Sequence, residues 1–521
     1  MRFVFALAAA LACVLLALAP QAASARELKC AALKDIALDR AGVTKVTTET
    51  IGQASACRLQ VTAKPTSDSD IRIEVWIPVG EAWNGKFVQL GNGGFAGSIR
   101  TPILQALAAR GYAAAATDDG HQTDQATDGR WAMRHPEKIA DFGWRALKIT
   151  TTVSKSLILA QKGVGPGKSY FSGCSDGGRE ALMEAQRYPE DFDGIVAGAP
   201  AYDFTHLLGY AAVEAQALMN TPGAYLGPPQ LAILQAGALS ACAGGEAFIR
   251  DPAACRFDPG QVACKAGQDP SQCLTEAQVA AARKIYAGLV DPRSGKTLLP
   301  GLTFGGEAQP GGWAAWVTGP SQDRIATALS NQFGSNFFKY FAFEDASYDM
   351  LRLDVGADLD RARAKTSHDL DSVDPNLAPF RAHGGKLIQY HGWNDAAIPA
   401  RSSIAYYEDV RAAVGPAEDF YRLYMVPGML HCGGGAGPGN VDWLAVLDRW
   451  VTVGEAPGAL VAASGSPFAP TPPPADGPTQ LLCPYPQTAV RGGAAQGGYR
   501  CAAPAGAKPA PRSRVRHGRH P

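Results

Sequence analysis

Residues 170–178, with the sequence Tyr170-Phe171-Ser172-Gly173-Cys174-Ser175-Asp176-Gly177-Gly178, carry the strongest indication of the fold. This stretch contains the pattern Gly-x-Ser-x-Gly directly after a strand-like run and before a predicted helix over residues 179–187. In that context the pattern is typical of a sharp strand-to-helix turn, in which glycines permit a strained backbone and a serine projects above the sheet edge. The sequence therefore predicts that Ser175 is a nucleophile; the alternative is an ordinary glycine-rich loop.

Strand and helix patterns alternate on both sides of this turn. Strand-like runs occur at 71–90, 112–116, 194–198, 386–390 and 421–426, and helical runs occur at 103–110 and 141–161. Such alternation favours a mostly parallel sheet that is covered on both faces. Together with the serine turn, it predicts an α/β-hydrolase fold.

The length and the change of pattern in the middle of the chain predict one catalytic domain with an insertion. The chain has 521 residues, of which 46% are hydrophobic, and so exceeds the usual size of one domain. Over 205–370, helical stretches broken by glycine, proline and four closely spaced cysteines replace the strand pattern. We expect a lid domain there, inserted between the nucleophile strand and the acid strand. The catalytic domain would comprise 26–204 and 371–501.

The two ends of the chain indicate export and a disordered tail. Residues 1–25 carry Arg2, an apolar stretch and Ala23-Ser24-Ala25, which together are typical of a cleavable signal peptide. The alternative is an uncleaved membrane anchor. We expect a secreted or periplasmic protein that has no membrane contact after signal removal. The basic, proline-rich tail at 502–521 is predicted to be disordered.

Charge and cysteine usage narrow the possible partners. The 48 Lys and Arg residues balance the 48 Asp and Glu residues, and the basic run of the tail has no interleaved aromatic residues. This pattern argues against a nucleic-acid partner.

Ten of the eleven cysteines follow the predicted signal, and an even number in an exported chain favours five disulfides. A metal cluster is the alternative, but no C-x-x-C pair with zinc spacing is present.

The order of catalytic residues in this fold points to an acid and a base. An activated serine needs a histidine to accept its proton and a carboxylate to orient that histidine, in the chain order Ser, acid, His. The strand at 386–390 runs into a polar loop that offers Asp395, and His431 is then the base that follows in the ordered part of the chain. His391 is the main rival, although a strand-end histidine satisfied by backbone groups explains it better.

Two backbone amides are candidates for an oxyanion hole. The helix after Ser175 directs its first amides toward the reacting carbonyl, so the Asp176 N–H is one expected donor. The second donor should come from the glycine-rich turn at 91–97, where we favour Gly94 and Gly93 is nearly as suitable.

Cysteines flank the proposed nucleophile and base. Cys174 precedes Ser175 and Cys432 follows His431. If the triad forms, these cysteines are close enough to bridge and would clamp the histidine loop onto the serine turn. The alternative is that each pairs elsewhere.

These motifs resemble the tannase and feruloyl esterase family, which includes hydrolases of mono(hydroxyethyl) terephthalate. The resemblance spans roughly residues 30–501 and rests on Gly-Asn-Gly-Gly-Phe-Ala-Gly at 91–97, Gly-Cys-Ser-Asp-Gly-Gly-Arg-Glu-Ala at 173–181, His-Gly-Trp-Asn-Asp at 391–395 and His-Cys-Gly-Gly-Gly at 431–435. It implies a serine carboxylesterase acting on small esters of phenolic acids, with a lid over an aromatic pocket. It also implies the disulfides Cys30–Cys57, Cys242–Cys255, Cys264–Cys273 and Cys483–Cys501.

One segment departs from the family pattern. Members usually carry a calcium loop with repeated Asp-Gly steps between the cysteines that correspond to Cys242 and Cys255, but here the segment is shortened and nearly free of acids. Calcium prefers six to eight oxygen ligands, several of them carboxylates. We therefore expect the calcium site to be lost or very weak, and we expect no other metal or cofactor.

Two points stay open at the level of sequence. Candidates for the pocket wall are Trp313, Trp316, Phe337, Phe338, Lys339, Tyr340 and Ile398, although simple core packing explains each equally well. The triad pattern also fits a serine amidase or peptidase, and less well a noncatalytic phenolic-binding protein.

Overall fold

The computed structural model describes residues 27–465, 477–492 and 498–503. The predicted signal peptide at 1–25 lies outside the described residues, as does the predicted tail apart from its first two residues. No helix among the described residues has both the length and the apolar character needed to cross a membrane.

A nine-stranded mixed sheet forms the centre of the molecule. Its strands are β1 Ala41–Ile51, β2 Ala54–Ala63, β3 Ile71–Pro78, β4 Lys86–Leu90, β5 Ala113–Thr117, β6 Lys168–Cys174, β7 Gly194–Gly198, β10 Lys386–Gly392 and β11 Tyr421–Val426. Their order is β1-β2-β3-β5-β4-β6-β7-β10-β11. The pairings from β5 through β11 are parallel, whereas β1, β2, β3 and β5 pair antiparallel. The predicted mostly parallel sheet and α/β-hydrolase fold are confirmed.

Six short strands form three two-stranded sheets. They are β8 Leu289–Val290 with β9 Thr297–Leu299, β12 Leu460–Ala463 with β13 Thr479–Leu482, and β14 Thr488–Arg491 with β15 Tyr499–Ala502.

Helices cover both faces of the central sheet and make up most of the chain between β7 and β10. They are α1 Thr101–Ala109, α2 Pro136–Ala140, α3 Ala146–Lys162, α4 Asp176–Arg187, α5 Phe204–Met219, α6 Pro228–Cys242, α7 Glu276–Ala287, α8 Trp313–Trp316, α9 Leu329–Asn336, α10 Ala357–Leu370, α11 Ala378–His383, α12 Arg401–Val414 and α13 Trp443–Val453. A π-helical turn, Asp141–Arg145, leads directly into α3, so the predicted helix at 141–161 changes its hydrogen-bonding pattern near its start.

Both faces of the central strands are buried, which explains their nearly continuous apolar sequences. Val75 and Phe171 belong to one apolar cluster, while their neighbours Trp76 and Tyr170 belong to a second. Because successive side chains of a strand point to opposite faces, these two clusters lie on opposite sides of the sheet.

The topology brings three loops together at one edge of the sheet. Strands β6, β10 and β11 run parallel and lie close together in the sheet. Strands β10 and β11 are neighbours, and β7 lies between β6 and β10. Residues just beyond these three strands therefore meet at their carboxyl ends, where ligands bind in open α/β sheets. The chain between β7 and β10 forms α5 to α11, and much of it packs around an apolar cluster of its own.

Candidate active site

Ser175 occupies the turn between β6 and α4 in a strained backbone conformation. Its φ is 67° and its ψ is −123°, a combination that L-residues rarely adopt. The neighbouring glycines permit this turn because the backbone passes so close. A Cβ at Gly173 would lie 2.3 Å from the Gly177 carbonyl oxygen, and one at Gly178 would lie 2.3 Å from the Gly198 carbonyl oxygen. The local structure therefore has the predicted strand–serine–helix form.

The three residues predicted as a triad lie in hydrogen-bonding contact. His431 Nε2 is 2.9 Å from Ser175 Oγ, and His431 Nδ1 is 2.7 Å from Asp395 Oδ2. Asp395 follows β10 and His431 follows β11, so each comes from the carboxyl end of a parallel strand. With Nδ1–H donating to Asp395, Nε2 is free to accept the serine proton.

Asp395 is held as a carboxylate although its side chain is completely buried. Its Oδ1 accepts hydrogen bonds from the amides of Ala397 (2.8 Å) and Ile398 (2.9 Å). Burial alone would raise the pKa of Asp395, but the nearby His431 and hydrogen bonds from His391 and His431 outweigh it and hold the pKa below its ordinary value. The acid is therefore ionised at neutral pH.

His391, the rival histidine, supports the acid from its other side. Its Nε2 lies 3.2 Å from Asp395 Oδ2 and 3.1 Å from the Ile398 carbonyl oxygen. Its Nδ1 lies 2.7 Å from Ser403 Oγ. The ring is buried and engaged on both nitrogens, and its contact with Asp395 was not predicted.

The two predicted oxyanion donors face the same space as Ser175. Gly94 and Asp176 line, with Ser175, a cavity that we call the inner cavity. Within the described residues, neither the Gly94 nor the Asp176 amide donates to a protein acceptor. Gly94 has a φ of 63°, and a Cβ there would lie 2.6 Å from the Ala126 carbonyl oxygen. Gly93, the alternative, is not among the residues that line the inner cavity; it lines a neighbouring outer cavity together with Gly94, Ser175 and His431.

The structure contains five disulfides, with the pairings expected. Cys174 and Cys432 bridge next to the site, with Cα atoms 6.0 Å apart. The other four are Cys30–Cys57, Cys242–Cys255, Cys264–Cys273 and Cys483–Cys501.

A buried ionic cluster lies beneath the serine turn and was not predicted. The Arg179 guanidinium donates to Asp176 Oδ1 at 2.5 Å and to two backbone carbonyl oxygens. Glu180 Oε2 accepts from the Asn92 amide at 2.9 Å, and the Asn92 side chain donates to Asp119 at 2.7 Å. Asp119, Asp176 and Glu180 lie close enough to share a cation, but Arg179 already supplies that positive charge. The cluster ties α4 to the glycine-rich turn.

Half of the residues that line the inner cavity come from 205–370. The cavity is lined by Gly94, Phe95, Ser175, Asp176, Ala201, Phe204, Leu207, Leu208, Tyr210, Ala211, Glu214, Trp316, Ser330, Phe333, Ala397 and Ile398. Two of the wall candidates, Trp316 and Ile398, are among these residues, and the Trp316 ring lies 4.9 Å from the His431 ring. By contrast, Trp313, Phe337 and Phe338 are buried in apolar clusters. For these three residues the alternative of core packing is correct. The residues of α5 and Phe333 also line the cavity, and they were not predicted.

The loop between Cys242 and Cys255 does not fit a calcium ion. Its acid Glu246 is bound by the Arg250 guanidinium at 2.6 Å and accepts a hydrogen bond from the Tyr499 hydroxyl at 2.8 Å. Asp251 accepts from backbone amides of the same loop. Two acids, both engaged by protein donors, cannot supply the oxygen-rich shell that calcium prefers.

Comparisons with known proteins agree with the fold and the motifs. Residues 56–502 match the family model described as "Tannase and feruloyl esterase". The chain is 36% identical over 477 residues to an uncharacterized esterase of Xanthomonas campestris pv. campestris, covering 83% of this chain and 81% of the relative. It is 30% identical to a probable feruloyl esterase B-2 of Aspergillus terreus, covering 78% of each chain. The crystal structure of feruloyl esterase B from Aspergillus oryzae superposes with a TM-score of 0.80 at 25% identity, covering 91% of this chain and 100% of that one.

Proposed function

The chain belongs to the tannase and feruloyl esterase family and is a carboxylic ester hydrolase, and from this premise we propose that it cleaves small esters of phenolic acids through an acyl-enzyme on Ser175. The observation that carries the proposal is the continuous contact from Ser175 through His431 to Asp395, at 2.9 and 2.7 Å. It is supported by an aromatic and aliphatic cavity that opens beside the serine.

The reaction proceeds in two acyl transfers. Ser175 Oγ attacks the ester carbonyl carbon while His431 Nε2 accepts the hydroxyl proton, and Asp395 stabilises the resulting imidazolium. The amides of Gly94 and Asp176 hold the negative charge that develops on the carbonyl oxygen. When the C–O bond to the alcohol breaks, His431 returns the proton to the leaving oxygen. Water, activated by the same histidine, then releases the acid and regenerates the serine.

We also propose that the enzyme is secreted or periplasmic, a location that its disulfides and the predicted signal peptide support. All five disulfides lie in the described part of the chain, and such density is typical of oxidising compartments. With the predicted signal peptide, this supports a secreted or periplasmic enzyme in which residues 205–370 act as the lid over the site.

The test is release of acid from methyl ferulate and methyl gallate by the purified mature protein. We expect hydrolysis that Ser175→Ala abolishes and that Ser156→Ala, an exposed serine on α3, leaves intact. The same assay on the matching anilides distinguishes an amidase or peptidase. Cleavage of the anilides alone, or turnover that persists in Ser175→Ala, would reject the proposal. Failure of an organophosphorus reagent to label Ser175 would instead favour a noncatalytic binding protein.

A further inference from the structure

The position of the Gly94 amide depends on a neighbouring loop, residues 123–129, which we call the support loop. The amide of Phe95 donates a hydrogen bond to the Ala126 carbonyl oxygen at 2.7 Å. Gly94 itself packs so closely against this loop that an added Cβ would lie 2.6 Å from the same carbonyl oxygen. The support loop contains no helix or strand, so its contacts with other elements fix its position. A shift of the support loop would therefore move the Gly94 amide.

Helix α9 of the insertion holds the support loop at three points. Asn336 Nδ2 donates a hydrogen bond to the Thr127 carbonyl oxygen at 2.6 Å. Thr127 Oγ1 donates to Gln332 Oε1 at 2.9 Å. The backbone of Gly129 packs against Asn336, since an added Cβ at Gly129 would lie 3.3 Å from the Asn336 Cβ. Asn336 and Gln332 are four residues apart, so one face of α9 makes all of these contacts.

The hydrogen bond from Asn336 has no substitute in the structure. Among the described residues, no other protein group donates to the Thr127 carbonyl oxygen. The same helix also borders the reacting atoms, because Phe333 of α9 lines the inner and the outer cavity together with Ser175. The Phe333 ring lies 5.0 Å from the Phe95 ring in an edge-to-face contact. Helix α9 therefore contacts the support loop, the glycine-rich turn and the space for the substrate.

We propose that Asn336 is a positioning residue for the oxyanion hole, an inference that rests on the acyl transfer at Ser175 proposed above. Through Thr127 and Ala126, Asn336 holds the Gly94 amide where the ester carbonyl oxygen becomes negative. Oxyanion donors are effective because they are already oriented before the reaction begins, and displacement of a catalytic group by about 1 Å lowers a rate on the order of 100-fold. The insertion thus contributes to the chemical step as well as to the walls of the cavity.

The first test measures kcat and KM for methyl ferulate with Asn336→Ala. We expect kcat to fall about 10- to 100-fold, since the Gly94 amide is displaced rather than removed, and KM to stay nearly unchanged, since the amide acts in the transition state. Asn331→Ala is the control, because Asn331 lies on the same helix and its side chain makes no hydrogen bond among the described residues. An unchanged kcat in Asn336→Ala, an equal fall in both variants, or an effect on KM alone would overturn the proposal.

The second test uses an inhibitor that generates the oxyanion. With an aryl trifluoromethyl ketone, Ser175 Oγ bonds to the carbonyl carbon, its proton passes to His431, and the ketone oxygen becomes the anion in the hole. The corresponding methyl ketone is a weak electrophile and binds without this step. Asn336→Ala should raise the Ki of the trifluoromethyl ketone by the factor that it lowers kcat/KM, and should leave the Ki of the methyl ketone unchanged. Equal changes in the two Ki values would show a general disruption of the site and contradict the proposal.

The outcomes distinguish this inference from the proposed function. If the wild-type enzyme cleaves p-nitrophenyl acetate through Ser175 but not methyl ferulate, the phenolic-ester function is overturned, and the same fall in kcat/KM with Asn336→Ala is expected on p-nitrophenyl acetate. Turnover that persists in Ser175→Ala would overturn both. If Asn336→Ala does not fold, Asn336→Asp takes its place, because a carboxylate keeps the shape of the side chain and has no hydrogen to donate. Wild-type kcat in Asn336→Asp would contradict the role of Asn336.

Discussion

Cys174 and Cys432 are joined by a disulfide that links the residue before Ser175 to the residue after His431. The bond connects the turn after β6 to the loop after β11 across a sequence separation of 258 residues. Displacement of a catalytic group by about 1 Å lowers a rate on the order of 100-fold. We therefore expect the disulfide to limit movement of the serine and the histidine relative to each other, in addition to any stabilisation of the fold.

Removal of this disulfide should impair both stability and catalysis. For Cys174→Ala/Cys432→Ala we expect the free energy of unfolding to fall by about 3–5 kcal/mol, because a long loop is no longer closed in the unfolded chain. We expect kcat to fall about 10- to 100-fold at temperatures where the variant is folded. Chemical denaturation and ester hydrolysis on the same preparation measure the two effects.

The matched control is the short disulfide Cys264–Cys273, which has a sequence separation of only 9 and lies in the insertion. Its double alanine variant should lose less stability, since the closed loop is shorter, and should keep kcat within about twofold, the scatter expected for a variant that leaves the triad in place. Equal kcat values for the wild type and the Cys174→Ala/Cys432→Ala variant would show that the disulfide does not position the histidine.

Gly94→Ala should lower kcat by about 100-fold or more, the effect of losing one oxyanion donor. The added Cβ would lie 2.6 Å from the Ala126 carbonyl oxygen at a residue with positive φ, so the amide must move. Gly52→Ala is the control, because Gly52 has a similar φ of +62° with open space around its Cβ position. Comparable kcat losses in the two variants, or none in Gly94→Ala, would remove Gly94 from the oxyanion hole.

The parts of this molecule that the sequence predicts well are those set by local pattern. The serine turn is predictable because close backbone packing requires glycine at particular positions, such as Gly173 and Gly178. The chain order of the fold then restricts the acid and the base to Asp395 and His431. The strands at 386–390 and 421–426 are predictable because strands buried on both faces carry continuous apolar runs.

Other parts depend on tertiary packing and leave no local signal. The antiparallel strand β1 was not predicted, since its mostly polar residues alternate irregularly between buried and exposed. Strand β2 was also missed, although its sequence did carry a signal, because Cys57 to Ala63 alternate regularly between buried and half-buried side chains. The aromatic run around Phe337 packs in an apolar cluster that also contains Phe95 and Phe142, whereas Glu214 of α5 lines the cavity. Whether a residue packs in a core or lines the cavity depends here on how α5 is oriented relative to Ser175. No short motif in the sequence encodes that orientation.

Calcium should not stabilise this protein, because the loop between Cys242 and Cys255 has few acids and the guanidinium of Arg250 pairs with one of them, Glu246. That group lies 2.6 Å from Glu246 and 4.0 Å from the centre of the Tyr499 ring. We expect the same Tm in calcium and in EDTA. Arg250→Met, which keeps the aliphatic stem, should cost about 1 kcal/mol of stability, the scale of a partly exposed ion pair with a cation–π contact.

Arg256→Met is the control for that variant, because the Arg256 guanidinium, within the described part of the chain, donates its hydrogen bonds to backbone carbonyl oxygens and not to a carboxylate. A Tm that rises when calcium is added to chelated wild-type protein would contradict the loss of the site. Calcium-dependent stabilisation that appears only in Arg250→Met would show instead that the guanidinium excludes the ion.

The buried carboxyl groups of Glu180 and Asp119, which lie beneath the serine turn, should make the free energy of unfolding depend on pH. Burial, followed by the charge of Asp176, raises the pKa of Glu180 to about 7, and burial next to Glu180 raises the pKa of Asp119 well above its ordinary value. The folded state therefore holds a proton that the unfolded chain releases above about pH 4.5. Whenever the folded state binds more protons, stability decreases as pH rises. The stabilisation that this bound proton gives to the folded state is fully present below about pH 4.5 and is lost once the pH exceeds about 7.

Glu180→Gln isolates this contribution, since the amide resembles the protonated acid and does not titrate. Other buried acids, including Asp118 and Asp371, titrate in the same range, so the informative quantity is the difference in unfolding free energy between wild type and variant, measured by denaturation from pH 4.5 to 8. We expect the variant to gain stability relative to the wild type as the pH rises, with the change centred below about pH 7. The amide retains an oxygen for the Asn92 N–H, which keeps the glycine-rich turn in place. A difference that is constant with pH would mean that Glu180 is ionised in the folded protein and that Arg179 compensates its charge as well as that of Asp176.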